Sequence, residues 1–337
     1  MEKATKANQV HVSNFKAKAF MKEENLVIEI IKTLKYYSIF RYPPTRHEIY
    51  TFLNKKYVKL ALKKKLDELV ENGRVLRKEY KNIYKDNILL KLNAQINIQT
   101  DLTACDTYRY TLGEYSIFLT NYKKKEKESV KKLKKIECYL KILSKLPQIK
   151  LIGLSGTMGM MNAKAQDDID LFIITTKNRL WTGRLIALFL AQVYGLRRTR
   201  KMKKAKDKVC LNLFFDKQDL KVPEFKKTEY VAREILQMKP IYVKNSIYDE
   251  LLRKNRWIYN FFPNAEKKTK NIKKNIEKNK KQGNNIFVDF IEKVVKIIQL
   301  NIIKVHQTNE IISNTQLWFF PKDFEQKLSK IRKKEMI

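Results

Sequence analysis

The sequence predicts a mixed α/β protein, on three observations. Apolar residues recur at helical spacing through most of the chain. One central stretch, Ile149 to Thr176, carries instead two short apolar strands joined through a small-residue turn. The 337 residues are 44% apolar and 11% aromatic, enough to fill a substantial core and to exclude wholesale disorder. No run of ~18 uncharged apolar residues occurs, which argues against a membrane-spanning helix. The best candidate, Leu180 to Leu196, is interrupted by Arg184 and reads as a buried amphipathic helix. The first twenty residues lack the apolar stretch of a secretory signal, so a cytoplasmic location and no membrane partner are expected.

Residues 1–22 are polar and basic and read as a disordered tail. Helical spacing begins at Leu26, Ile30 and Leu34 and stops before Tyr42-Pro43-Pro44. Thr45 with Glu48 three residues later forms a capping-box pattern for a short second helix. A third helix carries Leu62, Leu66 and Leu69 and closes at Asn72-Gly73. Arg74 to Arg77 and Ile83 to Leu92 then read as strands, and residues 94 to about 112 as an extended wing or loop. Three helices followed by a two-stranded hairpin resemble the winged helix-turn-helix of many DNA-binding regulators. That resemblance implies phosphate contacts from Lys56, Lys59, Lys63, Lys64 and Lys65; a winged helix used only for packing is the equal alternative. Tyr115 to Leu146 reads as a Lys-rich connecting helix ended by Pro147.

The chain holds 72 Lys and Arg against 35 Asp and Glu, a net charge of +37. Such a charge attracts polyanions, nucleic acid above all. The excess is mostly Lys beside abundant Ile, Asn and Tyr, as AT-rich coding produces, so charge alone identifies no partner. The runs Lys123–Lys127, Lys131–Lys135, Lys201–Lys208 and Lys267–Lys281 read as solvated faces or linkers. Cys105, Cys138, Cys210, His11, His47 and His306 lie far apart and match no zinc spacing, so they read as small buried thiols and surface imidazoles. Any metal is expected on carboxylates.

The stretch that carries chemistry is IKLIGLSGTMGMMNAKAQDDIDLFIITT. Lys150 to Leu154 is a strand, Ser155-Gly156-Thr157 a turn into a short helix, and Asp168 to Ile174 a second strand. Residues i and i+2 of a strand share a face, so Asp168 and Asp170 point the same way. Two such close carboxylates repel unless a proton or a cation intervenes, and oxygen ligands suit Mg²⁺ or Mn²⁺. A Gly-containing turn offers backbone N–H groups and a hydroxyl to a phosphate. Together these are the equipment of metal-assisted phosphoryl or nucleotidyl transfer.

The same residues resemble the signature of the polymerase-beta-type nucleotidyltransferase superfamily: Gly156-Thr157 stands at its Gly-Ser position and Asp168-Ile169-Asp170 at its Asp-x-Asp. The resemblance implies an α/β (α+β) nucleotidyltransferase-fold core, which here would follow the N-terminal winged helix and precede a C-terminal helical region. It implies catalytic and metal-binding roles for Asp168 and Asp170, contact of Ser155, Gly156 and Thr157 with a nucleoside triphosphate, and Mg²⁺ or Mn²⁺ as cofactor. The implied reaction is transfer of a nucleoside monophosphate to a hydroxyl with release of pyrophosphate. Thr157 in place of Ser keeps the hydroxyl. The family's third carboxylate is not evident: alternation puts Cys210, Asn212 and Phe214 on one face of the next strand, with Asn212 at the acid's position. Asp207 and Asp216 bracket that strand as substitutes. The alternatives are a winged-helix nucleic-acid-binding regulator with an inactive core, and a protein of a toxin–antitoxin-like pair.

The expected units are the tail over 1–22, the winged helix over 23–95, a loop and connecting helix over 96–145, the core over 146–222, a helical extension over 223–264, a Lys/Asn-rich linker over 265–285 and a C-terminal helical segment over 286–337. In the extension, Trp257, Tyr259, Phe261 and Phe262 read as core rather than as a base-stacking surface.

Overall fold

A computed structural model of the chain describes residues 23–80, 107–199, 202, 205–266, 286–305 and 310–319. The expected tail, the Lys/Asn-rich linker from 267 onward and the strand expected at Ile83 to Leu92 lie outside these residues. The first elements are α1 over 23–39, α2 (Arg46–Thr51), α3 (Lys59–Glu71) and β1 (Val75–Glu79). The capping box forms as written: the Glu48 N–H donates to Thr45 Oγ1 at 3.1 Å and the Thr45 N–H to Glu48 Oε2 at 2.7 Å. Strand β2 (Tyr108–Leu112) pairs antiparallel with β1, in a segment that the sequence reads as an extended wing or loop, in place of the strand expected at Ile83 to Leu92. The misleading residue is Arg109. Its guanidinium is buried over the Tyr122 ring, 3.7 Å from the centroid, and donates to Tyr42 Oη and the Pro43 carbonyl, both at 2.9 Å. A paired, stacked arginine sits inside a fold where a bare one would not.

The expected connecting helix is two helices, α4 (Ile117–Lys135) and α5 (Glu137–Lys145), separated at buried Ile136. Beyond it the described residues form a six-stranded sheet with the order β6 (Lys239–Val243), β3 (Ile149–Leu154), β4 (Ile169–Thr175), β5 (Val209–Asp216), β8 (Gln316–Trp318), β7 (Ile311–Ile312). Strand β3 (Ile149–Leu154) runs antiparallel to β4 (Ile169–Thr175), with a short helix α6 (Gly156–Gly159) between them. Strand β4 is parallel to β5 (Val209–Asp216), and α7 (Leu180–Val193) makes the crossover. After α8 (Glu229–Gln237), β6 (Lys239–Val243) pairs with β3 at one edge, where Pro240 is tolerated because no further strand needs its N–H. Two short helices, α9 (Ile247–Lys254) and α10 (Ile258–Phe261), follow.

The segment expected to be helical over 286–337 contains the helix α11 (Ile286–Lys304) but also β7 (Ile311–Ile312) and β8 (Gln316–Trp318), which extend the sheet beyond β5. Three and two residues give too little periodicity to read as strands, and the partner of β8 lies far away in sequence. Among the described residues no helix is long and apolar enough to cross a membrane.

Core residues divide by sheet face. Ile169, Leu171, Ile173 and Leu211 pack with α5, α7 and α11. Phe172, Ile174, Leu213 and Phe215 pack with α8 to α10 and with Tyr37, Tyr42 and Phe52 of the N-terminal elements. Phe262 is fully buried on that second face, and Trp257, Tyr259 and Phe261 pack partly buried around it. Arg233 of α8 seals the junction, its guanidinium 3.9 Å from the Tyr36 ring, 4.6 Å from Phe262 and 4.9 Å from Phe52.

Candidate active site

Strand β3 ends where β4 and β5 begin, so the turn after Leu154 and the first residues of the two parallel strands meet at one end of the sheet. Asp168, Asp170 and Cys210 converge there, their ligand atoms all within 4.8 Å of one another. The register of β4 against β5 passes from Leu171 opposite Leu211 to Phe172 opposite Leu213, which leaves Asn212 as the extra residue of a bulge. Cys210 and Asn212 therefore stay on the side of Asp170, while Phe214 turns to the α7 face. The strict alternation that grouped Phe214 with them is corrected by that one residue.

Each acid has a neighbour on hand. Asn212 Nδ2 donates to Asp170 Oδ1, and Asn212 Oδ1 accepts the Cys210 thiol at 2.6 Å. Arg198 donates to Asp168 and to Cys210 Sγ, the latter at 3.3 Å. Burial, reinforced by the charge of Asp168 and opposed by Asn212, pushes the Asp170 carboxyl up to about 8. Burial and the two aspartates push the Cys210 thiol up to about 12. The reading of Cys210 as an isolated thiol is revised accordingly, since it is half-buried beside both acids.

Gly156 adopts φ +55°, and a Cβ built on it would lie 2.8 Å from Asp170 Oδ2. Only glycine meets both demands at low cost. Ser155 donates its N–H to the Asp170 carbonyl at 3.1 Å, and its buried hydroxyl has no hydrogen-bond partner. The Thr157 hydroxyl is turned to Asp167 Oδ2 at 3.3 Å, which also accepts the Lys164 N–H at 2.9 Å. The Gly156 N–H is directed at Glu234 of α8, whose carboxyl burial pushes up to about 7 while that N–H draws it down. Glu234 in turn adds to the charge that raises Asp170.

Neither substitute for a third strand acid is at the site. Asp216 is buried at the far end of β5, accepting the Gln218 N–H at 2.9 Å and the Arg179 N–H at 3.3 Å. Asp207 is bound by Lys132 at 2.7 Å and by Lys135. Lys132 is fully buried rather than a solvated lysine of a charged run: it also donates to the carbonyls of Ala165 at 3.0 Å and Asp167 at 2.8 Å. With Lys125 on Asn162 Oδ1 and Ser129 accepting the Ala163 N–H, both at 3.0 Å, one face of α4 clamps the loop that delivers Asp168.

The donor set fits a divalent cation. Two carboxylates stand on one face, one oxygen of each is steadied by Arg198 or Asn212, and the missing side chain at residue 156 keeps Asp170 Oδ2 uncrowded. Arg198 and Glu234 escape a reading of the sequence, the first in a basic run and the second on a distant helix. Cys210 is missed as well, read as a small buried thiol although its alternation with Asn212 carries the signal.

Comparison of the chain with protein-family models, with curated proteins and with solved structures finds no match.

Gly156→Ala is expected to cost about 1–3 kcal/mol through backbone strain and contact with Asp170. Urea unfolding of the single variants and of Gly156→Ala with Asp170→Ala separates the two. The contact part vanishes once the carboxylate is gone, and the backbone part persists.

Proposed function

We propose that the chain is a metal-dependent nucleotidyltransferase, with a winged helix preceding a polymerase-beta-type core. The observation that carries this reading is the convergence of the Asp168 and Asp170 carboxylates beside a left-handed glycine turn at one end of a mixed sheet. Asp168 and Asp170 would hold Mg²⁺ or Mn²⁺, which when bound supplies neutralisation of charge developing on a phosphate. Ser155, Gly156 and Thr157 line the turn that would receive the phosphates of a nucleoside triphosphate. Arg198 balances the acids until the cation binds, and Asn212 orients Asp170 without adding charge. In the reaction the acceptor hydroxyl gives up its proton to solvent, its oxygen bonds to the α-phosphorus, the bond from that phosphorus to the bridging oxygen breaks, and pyrophosphate leaves.

The test is incubation with each α-labelled nucleoside triphosphate, Mg²⁺ or Mn²⁺ and cell extract, with the Asp168→Asn, Asp170→Asn double variant alongside. Label in RNA, protein or a small molecule with the wild type alone supports the reading and identifies the acceptor class. Label no higher than the double variant's overturns it.

A second reading, a nucleic-acid-binding regulator with an inactive core, is favoured by the solvent face of α3. Lys59, Lys63 and Lys64 are exposed there, with Lys56 just before them. Under that reading, alanine at Lys59, Lys63 and Lys64 weakens duplex binding and the aspartate variant does not.

A further inference from the structure

Helix α11 is packed with its polar residues inward. Glu292 and Gln299 are buried with Val295 and Ile303. Glu292 accepts the N–H groups of Trp181 at 2.7 Å and Thr182 at 3.0 Å, satisfying the first turn of α7, and Gln299 donates to the Trp181 carbonyl at 2.8 Å. With Glu292 and Gln299 committed to α7, several of the helix's large apolar side chains face away. Phe287, Phe290, Ile297 and Ile302 are each about 60–70% exposed. Beside them α7 exposes Phe189 and Val193, both 63%. No exposed residue of α7 is charged, and the exposed charges of α11 are Lys293 and Lys304.

We propose that this two-helix face is the interface of a homodimer. Three features point to a second copy of the chain. Phe287, Phe290, Val294 and Ile297 follow the three-four-three spacing that a facing helix reads. The large apolar side chains exposed on α7 and α11 amount to roughly 1,000 Å², above the ~800 Å² per partner of a stable complex and the ~300–600 Å² of an ordinary monomer's largest patch. Among the described residues the two helices expose only Lys293 and Lys304 as charges, too few for the ring of cations that an anionic polymer or lipid headgroup would meet, although the whole chain carries +37. A second copy brings a surface equally poor in charge. The charges remaining at distance repel across the dimer and are screened by salt, so association strengthens as ionic strength rises, opposite to binding of a polyanion.

Sedimentation equilibrium of the full chain, over a micromolar concentration series at low and high salt, tests the proposal. The expected result is a monomer–dimer equilibrium that shifts toward dimer with salt. It should weaken by at least ~100-fold in Phe287→Glu with Phe290→Glu at unchanged circular dichroism. Phe189→Lys, on the other helix, gives the same loss should the first variant fold poorly. A monomer at every concentration overturns the proposal. Two controls then identify the occupant. Flotation of that monomer with phosphatidylglycerol vesicles assigns the face to a lipid surface. Apolar-dye binding that appears only on removing residues 320–337 assigns it to the chain's own end. A dimer indifferent to all these substitutions also overturns it.

Discussion

Lys132→Ala is expected to lower stability by about 3–5 kcal/mol, the range for removing one partner of a buried charge pair. The ammonium is completely buried and makes three hydrogen bonds, to the Ala165 and Asp167 carbonyls and to Asp207. Alanine leaves two carbonyls unpaired and opens a void beneath the loop that leads into Asp168. Lys132→Met fills the void and should recover part of the loss. Asp207 adds a pH signature. Burial raises its carboxyl, but hydrogen bonds from Lys132 and Lys135 outweigh burial and hold it below the ordinary range. A depressed carboxyl contributes stability above its unfolded value, and that contribution is lost as pH falls through the folded one. The destabilisation by Lys132→Ala should therefore shrink in acid, on urea unfolding at neutral pH and near pH ~3. A deficit of equal size at both would mean that the ion pair contributes nothing.

Asp170→Asn is expected to act in the opposite direction. The Asp170 carboxyl is raised from 3.8 to about 8, first by burial and then by Asp168. The native state therefore binds the proton more tightly than the unfolded chain, and native stability falls as pH rises from about 4 to about 8. Asparagine does not titrate and still accepts the Asn212 amide. In the presence of chelator the variant should exceed the wild type by about 2–3 kcal/mol at pH ~8, a figure discounted for the site's partial exposure, and match it near pH ~4. Thermal unfolding across that range measures the gap. A gap that does not change with pH would show that Asp170 ionises without hindrance.

The parts legible in the sequence are those with local causes. Thr45 and Glu48 specify a cap, and Asp168 and Asp170 share a strand face because the period is two. Asn212 falls beside Asp170 because two parallel strands start together. What escaped depends on partners remote in the chain. Arg109 reads as a loop residue until the rings of Tyr42 and Tyr122 surround it. Lys132 belongs to a run of lysines whose neighbours are solvated, and nothing in its spacing marks it as the buried one. Arg198 and Glu234 reach the acids from a basic run after α7 and from α8. The bulge at Asn212 appears only when β5 is laid against β4.

The pairing of β5 with β8 also orders events during synthesis. Leu213 is opposite Trp318, so the strand that covers the edge of β5 leaves the ribosome about a hundred residues later. Until then a nascent chain presents Leu213, Phe214 and Phe215 on a strand paired with β4 along one edge only, its other edge open to pairing with a neighbouring chain. Interrupted translation anywhere between β6 and β8 would therefore release an aggregation-prone fragment, although every residue of the acidic pair and its glycine turn has already been made.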